Sequence, residues 1–450
     1  MENSKAFYWE RHLEVEALFL HYLDSYKAKN SFLADYEKKL LFQTSSRMLD
    51  WVDHILVWDS KEIRENLAGL GFKRKDDTEA EAYWHPGVLL PAVILVGDSP
   101  NQKPGIALRV ESLENFLQAN ELAVDIEGPA LSPFRRALVC VKDGVALWVV
   151  ERRGTSGFDP IFPEDGYFQD YAQSMAVWKN LPRDGEDEER TFAEMGRVAG
   201  ELVGKLGVGL AAHIICKCER DYWLSRNLAG RVQKKRQNTL GLGWANHDHH
   251  TFRSSRRHFS KLINLFLQLG FRKRERFYAG KEAGWGAQVM EHPEAGLALF
   301  LDVDLAPEEV NIDFSTQELE ERETLGTVGL WCALHGDSIR KAGMHHLAAR
   351  FDFGRLIEDI AKQDVAFMAP FSHFPYLKQA FSVAEIWKVD PDRARRLRRE
   401  NRISDEQLEK FLMRGSLGSH LENIERREGY KGFNKKNVSA IIQETDPRKS

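Results

Sequence analysis

Two stretches of this 450-residue chain run in the same order. DHILVW…LAGLGFKRK at 53–75 and DHHTFR…FLQLGFRKR at 248–274 each open on an Asp-His pair in a strand-like run. Each then passes through an amphipathic helix and leaves by Leu-Gly-Phe into a basic strand. Similarity of this kind marks a duplicated supersecondary unit. Around the first copy, DWVDHILVWD reads as a strand, SKEIRENLAGLG as a helix begun by Ser60 as N-cap, and FKRKDDTEAEAYW and LLPAVILVG as strands. The order returns in the strand GIALRVE, the helix SLENFLQANE, and the strands VDIEGP, RRALVCVKDG and VALWVVERR, with a hairpin turn at Lys142 to Gly144. In the second half, FRKRERFYAG, WGAQVMEHP and LALFLDVDL follow the repeat, and a fourth unit opens at MHHLAARF before the helix DFGRLIEDIAKQD. The expected fold is α+β, with four βαβββ modules in two pairs and helical insertions.

This pattern divides the chain into a helical lead-in over 1–49, a first pair over 50–155, a connector with helices over 156–240, and a second pair over 241–450. The connector is rich in Gly, Pro, Asp and aromatics, with RDGEDEER as a solvated turn. A net charge of −5 and a pI near 6.3 imply no global attraction to nucleic acid or anionic membrane. The basic runs RVQKKRQ, RSSRRHF and RARRLRREN are interrupted by apolar residues at helical spacing and lack stacking aromatics, so they read as solvated helix faces. Cys140, Cys216, Cys218 and Cys332 are too scattered for a disulfide scaffold. No apolar run is read as a membrane span, and the charged N-terminus has no signal-peptide core, so the expected location is cytoplasmic. Neither nucleic acid nor membrane is an expected partner, and assembly as a homodimer is left open.

The stretch NHDHHTFRSS carries the chemistry. If 247–253 is extended, His247, His249, Thr251 and Arg253 share one face, and Asp248, His250 and Phe252 the other. A metal ligand and an anion-binding arginine in one pocket are then His249 and Arg253. In MHHLAARF the period alone leaves His345 and His346 open. One histidine from each first strand and a carboxylate from a late strand make a facial triad that suits non-haem Fe(II) and O₂.

From His247 onward the chain resembles the 2-oxoadipate dioxygenase/decarboxylase family of the vicinal-oxygen-chelate (glyoxalase-like) superfamily. The resemblance rests on DHHTFRS, LGFRKRERF, QVMEHPEAGLALFLDVDLAPEE, LWCALHG, MHHLAARF, LKQAFSVAE and HLENIERREGYKGFNKKNVSAIIQETD, in the family's order over about the C-terminal 200 residues. It implies Fe(II) held by two histidines and a glutamate, and an arginine four residues after the first histidine that holds substrate. The positions are His249, His346 with His345 in the family's Asn place, Glu422 in ENIER, and Arg253. Gln379 and Ser382 match a family Gln-Ser-Ser-Thr run and would line the pocket, although Ala380 and Phe381 replace polar residues there. Glu425 is a neighbouring rival for the carboxylate, and Glu385 is the choice of a plain βαβββ reading. The implied reaction is the O₂-dependent oxidation and decarboxylation of a 2-oxo acid to a 2-hydroxy acid and CO₂. Alternatives are another metalloenzyme of the superfamily, such as a ring cleaver, lyase or isomerase, or a non-catalytic small-ligand binder.

The first pair has His54 in the place of His249 and Glu151 near its end, but GIALRVES supplies no histidine, and His85 sits at a Pro-Gly turn. It reads as a degenerate pair without metal. Cys216 and Cys218 beside His213 lack the second cysteine pair of a zinc site and read as buried structural residues.

Overall fold

The computed structural model describes residues 8–75, 81–97, 103–183, 185, 187–278, 284–435 and 438–449. Residues 76–80 of the run FKRKDDTEAEAYW, 279–280 of FRKRERFYAG, 184 and 186 of RDGEDEER and 436–437 of the last motif lie outside the described residues.

The first sheet contains β1 (Val52–Trp58), β2 (Lys73–Arg74), β3 (Ala82–Trp84), β4 (Ala92–Val96), β5 (Gly105–Arg109), β6 (Phe134–Lys142) and β7 (Val145–Arg152), in the order β2-β3-β4-β1-β5-β7-β6. The second contains β8 (His247–Arg253), β9 (Arg272–Tyr278), β10 (Trp285–His292), β11 (Leu297–Asp304), β12 (His346–Arg350), β13 (Ser372–Phe374), β14 (Leu377–Phe381) and β17 (His420–Arg426). Its order is β13-β14-β17-β12-β8-β11-β10-β9, and β15 (Ile386–Trp387) pairs with β16 (Ser416–Leu417) apart from it.

The pairings are those of βαβββ modules. The first strand of each module runs parallel to its last: β1 with β4, β5 with β7, β8 with β11 and β12 with β17. Two modules join where their first strands meet antiparallel, β1 with β5 and β8 with β12. The fold is therefore α+β, of paired βαβββ modules with helical insertions. One strand falls short of expectation: VDIEGP makes only the bridge Glu127↔Arg136, because Gly128 (φ 98°) and Pro129 end its pairing. AFSVAEIWKV also divides, since β14 stops at Phe381 and Ile386–Trp387 turns away to β16.

Local chemistry explains the module ends. Ser60 accepts the Ile63 N–H at the first module's helix, and Asp352 accepts the Arg355 N–H at the last. The β6–β7 hairpin turns on Asp143 (φ 44°) and Gly144 (φ 75°), the two positive-φ positions of a type I′ turn.

The long helix Glu188–Ser225, broken at Gly207 (φ 76°, ψ 164°), buries Leu210, Ile214, Ile215 and Cys216 in one core with Phe252, Leu262 and Phe266. By length and composition it is apolar enough to cross a membrane, contrary to the reading of the sequence, and half of its apolar window is buried within the fold. Cys216 and Cys218 lie on this helix, and burial pushes both thiols up to about 12. Two of the expected solvated arginines are buried instead. Arg236 donates to Ser45 and Gln233, and Arg256 forks onto Glu309 at 2.6 and 2.7 Å.

Candidate metal centre

The centre forms on one face of the second sheet because of register. β12 lies between β8 and β17, and Ala348 pairs with His249 on one side and Glu422 on the other. The three positions form a row across the sheet, and His346, two residues before Ala348, projects from the same face. An alanine in the middle leaves the space into which the flanking side chains converge. The His249 Nε2–Glu422 Oε2 distance is 3.3 Å and the His346 Nε2–Glu422 Oε2 distance 3.0 Å, and one donor atom from each residue lies within 4.8 Å of the others. Metal–ligand bonds of about 2.0–2.2 Å at right angles set adjacent donors about 3 Å apart, so this donor set fits one face of an octahedral ion. Ala348→Leu is expected to abolish metal uptake by filling that space, at a cost of about 1–3 kcal/mol in stability. Metal content and thermal melting measured together check this.

Partners behind the ligands orient them. His249 Nδ1 donates to Asp248 Oδ1 at 2.9 Å, which directs Nε2 to the centre. Asp248 is gripped by Arg426, with Nε at 2.8 Å and Nη2 at 3.0 Å, and these guanidinium contacts hold its carboxyl well below the usual range despite burial. His346 Nδ1 lies 2.9 Å from His345 Nδ1. With the proton on Nδ1 of His346, its Nε2 lone pair is free for a metal. Thr251 Oγ1 stands 2.8 Å from that Nε2, and Gln379 Nε2 donates to Glu422 Oε1 at 2.8 Å. Burial disfavours the charged form of both histidines. Glu422 and Asp248 overcome it at His249, raising it to about 9, whereas His346 falls to about 4.

The face opens on a small cavity of about 60 Å³, walled by Phe277, Trp285, Phe300, Phe381 and Phe433 and closed by Ile441 and Ile442. Arg253 reaches it from β8 and is 2% exposed. Its Nε and Nη1 have no hydrogen-bond partner among the described residues, and Asp302 Oδ2 lies 3.7 Å from Nε. Burial pushes Asp302 up to about 7 against the pull of Arg253, so neutralisation of the cation is incomplete. A buried guanidinium with free donors is costly unless a ligand completes it, and a carboxylate suits its forked geometry.

The structure brings together His249, His346, Glu422, Gln379 and Arg253 around this cavity. Ser382 lies outside the cavity wall; its hydroxyl accepts the Leu421 N–H at 2.9 Å and its carbonyl accepts from His420 Nδ1. Glu425 projects from the opposite face of β17 and accepts the Phe353 N–H, and Glu385 accepts the Leu228 N–H. His247 departs from the alternation: a register shift at Ala348/Ala349 places its ring 5.2 Å from His250, on the far side from His249. Asp248, Arg426 and Asp302 were not singled out from the sequence. The one available signal for Asp248 was the Asp-His pair repeated at 53–54.

That pair exposes a mirror of the centre in the first sheet. Ala107 pairs with His54 and with Trp148, as Ala348 does with His249 and Glu422. Trp148 therefore replaces the glutamate and Gly105 the second histidine. A Cβ at Gly105 would lie 1.9 Å from the Ala146 carbonyl oxygen, so no side chain fits. Phe158 fills the space, 5.4 Å from His54 and 5.8 Å from Trp148. Glu151 faces elsewhere, accepting the Leu113 N–H and pairing with Arg153. The support survives the loss of the ligands: His54 Nδ1 contacts Asp53 at 3.0 Å, and Arg152 lies 2.9 Å from Asp53. His54→Ala is expected to leave metal stoichiometry unchanged, which elemental analysis of the purified variant checks.

A second histidine–carboxylate group, Glu188, His258 and Asp337, is already engaged. Arg340 and Arg393 pair with Glu188, and Asp337 accepts from His258 Nδ1 and the Ser255 N–H.

No family model matches the chain, and no curated protein matches it. Among solved structures, it is similar to a variant of 4-hydroxymandelate synthase from Streptomyces coelicolor, at 11% identity over 89% of this chain and 99% of that one, with a TM-score of 0.29. It is also similar to methylmalonyl-CoA epimerase from Mycobacterium tuberculosis, at 12% identity over 40% of this chain and 87% of that one, with a TM-score of 0.23. At TM-scores this low, the chain's own strand order defines the fold.

Proposed function

We propose that the protein is a non-haem Fe(II) dioxygenase that oxidises and decarboxylates a 2-oxo acid, with 2-oxoadipate-like acids as the substrate class and a 2-hydroxy acid and CO₂ as products. The observation that carries this reading is a facial His249–His346–Glu422 set opening on a cavity that also holds the uncompensated guanidinium of Arg253. When bound, Fe(II) supplies open positions for a chelating acid and for O₂.

The chain's own residues perform the remaining tasks. Arg253 binds a substrate carboxylate through one edge of its guanidinium, where the unpartnered Nε or Nη1 lies beside Nη2. Gln379 fixes Glu422 through Oε1, leaving Oε2 toward the histidines, and its own Oε1, which has no partner among the described residues, is available to a substrate donor. Asp248 holds the proton of His249 on Nδ1. The phenylalanine wall and the isoleucines exclude water, which strengthens every polar contact inside. Phe381, in place of a polar residue, makes the cavity narrow and apolar, which suits the methylene chain of a 2-oxoadipate-like acid while Arg253 takes a carboxylate.

The test is O₂ consumption by anaerobically Fe(II)-loaded protein against short, aryl and dicarboxylic 2-oxo acids, 2-oxoadipate included, beside His249→Ala. Uptake that requires both iron and one acid, and disappears in the variant, is expected. Metal that binds through His249 with no O₂ uptake from any acid would redirect the reading to a non-oxidative reaction or ligand binding. A cytoplasmic location belongs to the same proposal.

A further inference from the structure

Behind the metal centre, between the two sheets and the helices that join them, lies a chamber of about 520 Å³ with no part in the chemistry above. Seven arginine and lysine side chains line it against two glutamates, in a chain whose net charge is −5. Most of these cations are matched: Lys234 pairs with Glu111 at 3.1 Å, Lys217 with Asp221 at 3.1 Å, Arg135 with Glu114 and Glu151, and Arg153 with Glu151.

Arg109 is not matched. Its guanidinium has no hydrogen bond or ion pair among the described residues, and the acid nearest in influence, Asp53, is already held by Arg152 at 2.9 Å. Arg152, Arg220 and Arg350 crowd it with like charge. Two further buried groups on the wall have free donors or acceptors. Arg220, 4% exposed, contacts His250 Nε2 through Nη1 at 3.1 Å and Glu111 at 3.9 Å, but its Nε, like Nδ1 of His247, 5% exposed, has no hydrogen-bond partner among the described residues. Like charges held together in a partly dry space are unfavourable unless an anion joins them.

The duplicated fold accounts for the cluster. Arg109 and Arg350 stand two residues beyond Ala107 and Ala348, at equivalent places in the two sheets, and the equivalent Arg152 and Arg426 serve Asp53 and Asp248. In the second half Asp248 takes both arginines, with Arg350 at 3.4 Å. In the first half Asp53 takes only one, which leaves Arg109 over.

We propose that this chamber binds a compact polyanion, a phosphate ester or a polycarboxylate, on Arg109, Arg152, Arg220 and His247. Guanidinium forks match either oxyanion, and the volume accommodates a ligand larger than any that fits the metal-site cavity. The site is separate from the metal centre, so binding requires neither iron, O₂ nor an oxo acid.

The test is thermal melting and calorimetry of the whole chain with pyrophosphate, inorganic phosphate or citrate at matched ionic strength, because non-specific screening must be held constant. The wild type is expected to melt higher as one of these anions is added, relative to chloride. Arg109→Gln is expected to melt no lower than wild type without ligand, since a repelled cation is removed, and to bind at least about tenfold more weakly. Arg109→Lys, which retains charge but loses the fork, should fall between them, and Arg74→Gln at an exposed position should bind as wild type. A response to pyrophosphate alone assigns a phosphate ester, and one to citrate alone a polycarboxylate. No stabilisation beyond chloride, or an undiminished response in Arg109→Gln, would overturn the proposal.

Discussion

Glu422→Gln is expected to give a folded chain that retains no iron and consumes no O₂. The substitution is nearly isosteric, and the amide oxygen can still accept the 2.8 Å hydrogen bond from Gln379, so the local packing at β17 is preserved. What disappears is the only negative charge among the described residues that contacts both candidate ligand imidazoles, at 3.3 and 3.0 Å. Outer partners of metal ligands typically account for about 10–100-fold in affinity, and a direct ligand is expected to exceed that. Asp248→Asn, which acts on the metal through the orientation of His249 and also leaves Arg426 and Arg350 without their counter-charge, should fall within that smaller range of affinity at some cost in stability, and provides the internal scale. Iron content by elemental analysis and O₂ uptake with the best acid check both variants. Full iron occupancy and wild-type turnover in Glu422→Gln would transfer the carboxylate role elsewhere.

Arg253→Met should separate substrate binding from metal binding. Methionine keeps much of the buried apolar volume and removes the cation, so iron content is expected to stay at the wild-type level while KM for the oxo acid rises. A hydrogen bond to a charged group is worth about 1.5–3 kcal/mol, and two such bonds in a fork predict a rise on the order of 10²-fold or more. Arg253→Lys should recover little of this, because an ammonium cannot make the paired contact. The free enzyme should be barely destabilised. Arg253 is already short of partners, and Asp302, pushed up to about 7, can take a proton when the arginine leaves. An unchanged KM in Arg253→Met would remove the arginine from substrate recognition.

Several features of the centre were legible in the linear order of residues. Period-two alternation placed His249 and Arg253 on one face, because that depends only on the pleat of a single strand. The module order was legible because each βαβββ unit is local, with its helix caps and hairpin glycine written into adjacent residues. The same rule failed at His247, where a register shift between β8 and β12 turns the side chain to the other face. It could not choose between His345 and His346 or among Glu385, Glu422 and Glu425, since each choice depends on which strands become neighbours. Glu385 was lost when the chain left the main sheet after Phe381, and Glu425 faces the helix Phe353–Ala361.

The fate of the first pair shows the same division. The sequence contains His54 and a missing histidine, enough to expect a degenerate site. Only the paired register identifies Trp148 and Gly105 as the residues in the ligand places, and only packing shows that Phe158 occupies the space.

By itself the sequence determined the α+β modules, their duplication and the face that carries His249 with Arg253, since those follow from local periodicity and capping. The tertiary structure alone decided that Ala348 would separate the two strands of the candidate ligands, that Arg426 would anchor Asp248 from 178 residues away, and that Arg109 would have no partner among the described residues. Those outcomes depend on long-range strand register and on charges brought together by folding, and neither is encoded in the spacing of neighbouring residues.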